Sequence, residues 1–255
     1  MDNLLKHFKE KLASNQGVIG TFMKTGEPAF VEAAGYAGFD FVILDMEHGP
    51  ISFENMQNNI RAAIISNMMP VVRVEDKSES NIGKALDIGA MGIQVPQIEN
   101  AWQAREVIKA AKFYPEGQRG VCRFVRAAKY SSMDRYDYFH HANENLIILQ
   151  LEGKEALNNL DDILQVQGID AVFVGPYDLS QSLGIPGQIT HPDVIEQMQR
   201  IVDCAKTKHI TTGTFIDKIE NIELWRNAGV RYLSYSVDIG IFTEACKGII
   251  GKAGK

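Results

Sequence analysis

Short apolar runs of β character alternate with helical patterns of about 10 to 15 residues, and the alternation repeats through eight rounds. The predicted strands are Val18–Phe22, Phe41–Leu44, Pro70–Val74, Gly92–Val95 closed by Pro96, Leu146–Leu151, Ala171–Val174, Thr211–Phe215 and Tyr232–Ser236. Helical spacing covers Ala29–Ala37, Phe53–Ile65, Asn81–Ile88 and Ala101–Lys112, and further helices centre on Leu160, Met198, Leu224 and Ala245. Eight such rounds in 255 residues fit a single closed (β/α)8 barrel of parallel strands. An open doubly wound sheet would carry a Gly-rich first turn, and the first strand lacks one. The one long interruption, residues 113–145, is expected to be a loop leaving the C-terminal side of strand four, as a lid or a subunit contact.

A formal charge of -6 with 23% charged residues offers no basic field for a phosphate backbone, so nucleic acid is not an expected partner. No stretch reaches the roughly 18 apolar residues of a membrane span. Met1 to Ser14 reads as a short surface helix and not as a secretory signal. Cys122, Cys204 and Cys246 lack a paired spacing, which fits reduced thiols and a cytoplasmic protein.

Strands buried on both faces read as continuous apolar runs, and barrels keep their chemistry at the C-terminal strand ends. Here those ends turn abruptly polar. Strand two hands over to Asp45, Glu47 and His48, and strand three ends at Arg73. Strand five ends at Gln150 with Glu152 following, and strand six runs into Gly175, Pro176, Tyr177 and Asp178. Glu152 and Asp178 would bring two hard oxygen donors to one rim, as Mg²⁺ or Mn²⁺ prefers. The competing reading makes each acid a helix cap, with Asp178 before Leu179-Ser180-Gln181 the better candidate. Asp45 lies three residues before His48, a spacing that lets a carboxylate hold one ring nitrogen while the other moves a proton. Arg73 can grip a carboxylate or stabilise a developing oxyanion, and equally can bridge to Asp45 or Glu47. Lys24, in a loop with Gly26 and Pro28, is expected to be solvated, which ranks imine chemistry below metal chemistry. His7, His140, His141, His191 and His209 show no ligand spacing.

In order along the chain, Leu44-Asp45-Met46-Glu47-His48-Gly49-Pro50, Val71-Val72-Arg73-Val74, Leu86-Asp87-Ile88-Gly89-Ala90, Gln150-Leu151-Glu152 and Phe173-Val174-Gly175-Pro176-Tyr177-Asp178 resemble blocks of the HpcH/HpaI family. These are class II 2-oxo acid aldolases of the phosphoenolpyruvate/pyruvate barrel superfamily. The resemblance implies that Glu152 and Asp178 bind a divalent ion (Mg²⁺, Mn²⁺ or Co²⁺) and that Arg73 steadies the pyruvate enolate. His48, paired with Asp45, would be the acid/base, while Gln150, Gly175 and Tyr177 line the pyruvate pocket. It places Glu47 and Asp87 in subunit-contact and support regions, exchanges the last helix between neighbours, and implies a homohexamer. The implied reaction is reversible cleavage of a 4-hydroxy-2-oxo acid, such as 4-hydroxy-2-oxoheptanedioate or a 2-keto-3-deoxy sugar acid, to pyruvate and an aldehyde. An oxaloacetate decarboxylase or other lyase using the same enolate, and a non-catalytic keto-acid-binding barrel, stand as alternatives. Tyr177 is bulkier than the alanine often found there.

Overall fold

The computed structural model describes residues 2–254. Eight parallel strands close in chain order: β1 (Val18–Met23), β2 (Phe41–Asp45), β3 (Met69–Arg73), β4 (Gly92–Ile98), β5 (Leu146–Leu151), β6 (Ala171–Val174), β7 (Thr211–Ile216) and β8 (Tyr232–Val237). Closure comes from β1 against β8, with Val18 opposite Tyr232. The intervening helices are α2 (Pro28–Tyr36), α3 (Phe53–Ile65), α4 (Glu79–Asp87), α5 (Ala101–Ala111), α7 (Gly153–Asn158), α8 (Leu160–Leu164), α9 (Pro176–Ser182), α10 (Pro192–Thr207) and α11 (Asn221–Asn227). Helix α1 (Asp2–Leu12) precedes the barrel, α6 (Arg135–Asn143) lies in the insertion before β5, and α12 (Asp238–Lys252) follows β8. Serines 52 and 78 cap α3 and α4 through their hydroxyls, and Asn100 caps α5.

Alternation along each strand divides the core in two. Outward positions such as Val42, Leu44, Val72, Ile147 and Leu149 pack under the helices. Inward positions such as Phe41, Ile43, Met69, Val71, Leu146, Ile148 and Phe173 fill the barrel. Because the side-chain period is two, the next inward position after Phe41 and Ile43 is Asp45, after Met69 and Val71 it is Arg73, and after Leu146 and Ile148 it is Gln150. The apolar layers therefore occupy the N-terminal end, and the polar layer is the last one before the C-terminal mouth.

Three elements differ from the sequence expectation. Strand β4 continues through Pro96 to Ile98, because Pro96 falls where the pairing with β5 shifts register and its missing N–H leaves no regular ladder bond unmade. Helix α1 is no mere surface helix: Leu5, Phe8 and Leu12 form a buried stripe that plugs the barrel floor, with Phe8 6.0 Å from Phe41. Met1, the first residue of that expected helix, lies outside the described residues. The insertion joins α5 to β5, so it sits at the N-terminal end of the barrel, away from the mouth where a lid would act. It is folded, with a short 3-10 helix (Arg126–Ser131), α6 and a small core of Phe113, Ala128, Tyr138 and Ala142. Lys112 donates from its ammonium to the carbonyls of Asn143 and Asn145, supplying partners at the C-terminal end of α6.

Among the described residues no helix is long and apolar enough to cross a membrane. Phe41 is fully buried, stacks on Tyr232 at 4.0 Å and touches the α1 plug. Phe41→Ala is expected to cost about 3–5 kcal/mol of unfolding free energy in a denaturant titration. The folded fraction should keep wild-type site chemistry, since the cavity opens at the other end.

Candidate active site

Arg73 organises the mouth. Its Nε and Nη2 donate to Asp45 Oδ1 and Oδ2 at 2.9 and 2.7 Å, a bidentate fork between directly paired residues of β2 and β3. Its Nη1 stands 2.9 Å from Glu47 Oε2, and the guanidinium lies over the Phe22 ring, 4.8 Å from the centroid. Arg73 is buried yet lines a cavity of about 210 Å³. Asp45 is wholly buried, which by itself raises a carboxyl pKa. The hydrogen bonds and charge of Arg73, the His48 amide and Lys24 outweigh that, and the group is held below the usual carboxylate range.

The expected Asp45–His48 contact takes another form. Asp45 Oδ1 accepts from the backbone amides of Glu47 (3.1 Å) and His48 (3.3 Å), so the carboxylate shapes the turn and does not hold the ring. The His48 ring points outward, with its side chain 62% exposed, and Nε2 is 3.9 Å from Glu47 Oε2. A residue that the sequence placed in a support role thus stands between the histidine and the arginine. Lys24 also differs from expectation: it lines the cavity, with Nζ 3.9 Å from Asp45 Oδ2. The cause is Asp238, whose carboxylate accepts from the amides of Lys24 and Thr25 and from the Thr25 hydroxyl, folding the loop after β1 inward.

Glu152 and Asp178 come to one rim. Glu152 is the residue before α7 and Asp178 lies in the first turn of α9, and neither helix start is capped by a side chain. The capping reading therefore fails for Asp178, because α9 begins earlier than the sequence implied, at Pro176 with Gly175 before it. Burial raises the Glu152 pKa; the Gln150 amide opposes this, and the nearby charges of Glu47 and Asp178 raise it further. A carboxylate crowded by two others and in need of positive charge is a fit donor for a divalent ion. Gly175 supplies the room, since a Cβ there would lie 2.3 Å from Asp178 Oδ2. Among the described residues no group of three or more acidic, histidine or cysteine side chains could hold an ion alone. Two carboxylates with the remaining positions open match the way Mg²⁺ is held by one or two acids beside substrate oxygens.

Gln150 is fixed by a relay absent from the sequence reading: Gln94 Nε2 donates to Gln150 Oε1 at 2.6 Å, and Gln150 Nε2 donates to Glu152. Gln94 is the single polar side chain in the run Gly92–Val95, which is the signal that marks it. Tyr177 lines the cavity and its hydroxyl donates to Asp217, another unpredicted partner, just after β7. Asp87 lies elsewhere. It ends α4 at the barrel's N-terminal side and pairs with Arg119 of the insertion at 2.6 Å.

Residues 18–245 match the family described as HpcH/HpaI aldolase/citrate lyase. The chain belongs to that family. Among members of the HpcH/HpaI family, it is 36% identical over 253 residues to a hydroxypyruvate/pyruvate aldolase of Roseobacter denitrificans, covering 97% of each chain. It is also 36% identical to a 2-keto-3-deoxy-L-rhamnonate aldolase of Salmonella gallinarum, covering 96% of this chain and 92% of the relative. A solved family protein from Burkholderia cenocepacia superposes over 100% of both chains with a TM-score of 0.90 at 29% identity.

The lowered Asp45 pKa sets a pH dependence for the family barrel. Its stabilising effect is complete above the unfolded value near 3.8 and is lost as pH falls through the lower folded value. Asp45→Asn leaves Arg73 and Lys24 facing a neutral group, and is expected to cost about 3 kcal/mol at pH 7. In urea titrations the gap between wild type and variant should close as pH drops below the ordinary carboxylate range.

Proposed function

We propose that the protein is a divalent-metal-dependent aldolase that reversibly cleaves a 4-hydroxy-2-oxo acid to pyruvate and an aldehyde. The observation that carries this reading is the Arg73 guanidinium, locked by Asp45 and lining the same cavity as Gln150 and Asp178. A binding module has no need of a rigid cation set beside an uncapped pair of acids and a rim histidine. Membership of an aldolase-containing family supports the same conclusion.

Cleavage breaks the C3–C4 bond. The C4 hydroxyl loses its proton as its oxygen becomes the aldehyde carbonyl, and the bonding pair moves onto pyruvate as an enolate that later takes a proton at C3. Arg73 offers a preorganised donor to the enolate oxygen, and being already desolvated it needs little reorganisation when charge develops. In this reading His48 takes the hydroxyl proton and returns it, a role supported by Glu47 as the acid 3.9 Å from its ring. Gln150, oriented through Gln94, and the backbone at Gly175 and Tyr177 position the pyruvate carboxylate. Glu152 and Asp178 would hold Mg²⁺, Mn²⁺ or Co²⁺, and such an ion when bound supplies concentrated positive charge against the substrate's carboxylate and keto oxygens. Lys24 faces Asp45 as a further cation in the wall and is not assigned imine chemistry.

The assembly belongs to the same reading. Ile239, Phe242, Ile249 and Ile250 of α12 are exposed, and only Asp238 of that helix is buried. Such a face supports exchange of α12 between neighbouring copies in a homohexamer, with Asp87 and Glu47 near subunit contacts. Three unpaired cysteines accord with a cytoplasmic protein.

Treatment with EDTA should abolish cleavage, and Mg²⁺, Mn²⁺ or Co²⁺ should restore it. Activity that survives chelation but is lost to borohydride with pyruvate would transfer the chemistry to Lys24. Arg73→Lys keeps a charge but not the fork, and a loss of about 10²-fold or more in kcat is expected. For His48→Ala, turnover should fall by about 10²- to 10⁴-fold while added Mn²⁺ still raises the melting temperature.

A further inference from the structure

Two cations line the cavity, Arg73 and Lys24, and the protein treats them differently. Every guanidinium nitrogen of Arg73 faces a protein carboxylate: Nε and Nη2 donate to Asp45, and Nη1 stands 2.9 Å from Glu47 Oε2. Lys24 has no such match. Its ammonium forms no hydrogen bond among the described residues, and the acid within ion-pair reach, Asp45 Oδ2 at 3.9 Å, accepts from Arg73 Nη2. The Lys24 side chain is 29% exposed, so a ligand entering the mouth can reach it. Three N–H donors without a protein acceptor, in a wall that bounds a cavity, are left for water or a ligand to satisfy.

The backbone that carries this ammonium is fixed on several sides. Buried Asp238 accepts from the amides of Lys24 (3.2 Å) and Thr25 (2.9 Å), from the Thr25 hydroxyl (2.6 Å) and from the amide of Ile239 at the start of α12 (2.9 Å). Asn59 of α3 donates from its side-chain amide to the Thr25 carbonyl at 3.3 Å. Gly49, in the turn after β2, closes on the same loop: a Cβ there would lie 3.3 Å from Lys24 Cα and 2.3 Å from the Asp45 carbonyl oxygen. Elements from three parts of the barrel thus hold one lysine at the cavity wall. Charge indicates what it receives. Asp45, Glu47, Glu152 and Asp178 surround the mouth, and the groups given above to the pyruvate carboxylate, Gln150 and the backbone at Gly175 and Tyr177, are neutral. An anion entering among four acids is met by one cation that no protein carboxylate engages through a hydrogen bond, which is Lys24.

We propose that Lys24 is a substrate-binding residue whose ammonium receives the carboxylate of the keto acid, and that Asp238 is the residue that positions it. Lys24 forms no covalent bond in this role and moves no proton. The proposal rests on the aldolase reading above for the identity of the keto acid, and the test separates the two. Binding of pyruvate and of its neutral amide, pyruvamide, to the Mg²⁺-loaded protein is measured by calorimetry in the wild type and in Lys24→Met, Lys24→Arg and Asp238→Asn. Lys24→Met keeps the stem and removes the charge, and the amide ligand keeps the keto group and removes the carboxylate.

Lys24→Met should weaken pyruvate by about tenfold or more, the scale of one charged hydrogen bond, and leave the Kd of pyruvamide unmoved. Lys24→Arg should recover most of the lost preference for the acid over the amide. Asp238→Asn should shift that preference in the same direction as Lys24→Met, and an unchanged preference there would remove Asp238 from the proposal. An unmoved pyruvate Kd in Lys24→Met would overturn the role of Lys24, as would equal weakening of both ligands, the mark of a lysine that merely supports the Asp45–Arg73 contact. A wild type that does not bind pyruvate overturns this site. A wild type that binds pyruvate with this Lys24 dependence, yet forms no carbon–carbon bond with any aldehyde, overturns the aldolase reading and leaves the carboxylate site standing.

Discussion

The bidentate contact between Asp45 and Arg73 is the interaction on which the site depends. It joins directly paired residues of adjacent strands, so any slip in register between β2 and β3 would break it. Burying two charges is costly, and a buried pair is poor evidence for net stability. What the contact secures is position. The Asp45 carboxylate spends one oxygen on the Arg73 Nε and on the Glu47 and His48 amides, which sets the turn that carries both of those side chains. One acid therefore fixes a cation in the cavity wall and sets the turn that carries Glu47 and His48.

Much of this arrangement was legible from the chain because a barrel converts strand ends into a common surface. Asp45, Arg73, Gln150 and Gly175 each follow an apolar run with the right parity, so period-two alternation carries them to one end. What the sequence could not disclose were contacts between side chains far apart along it. Asp238 folds the Lys24 loop inward across 214 positions, which reverses the expectation of a solvated lysine. Asp217 meets Tyr177 from a neighbouring strand end, and Gln94 orients Gln150 from within β4. The insertion misled for a different reason. Loop length signals importance, but only the intervening α5 reveals that the segment starts at the opposite end of the barrel.

Electrostatics divide the mouth into sectors with distinct tasks. Arg73 and Lys24 bring positive charge to the β1–β3 side, and Glu152 and Asp178 bring uncapped oxygens across from them. Glu152 carries the strain of this division, since burial and the charges of Glu47 and Asp178 disfavour its ionised form. With its folded pKa raised, the protein loses stability as pH climbs from the ordinary glutamate value through the higher folded one. In the proposed metal site, a cation held by Glu152 and Asp178 would offset that penalty and displace a proton from Glu152.

Calorimetric titration of Mn²⁺ in buffers of differing ionisation enthalpy, from mildly acidic to neutral pH, tests the central claim most directly. Shared coordination by Glu152 and Asp178 predicts one ion per chain, proton release that grows toward acidic pH, and loss of both in Glu152→Gln. Binding that releases no proton, and that survives unchanged in Glu152→Gln and Asp178→Asn, would contradict it.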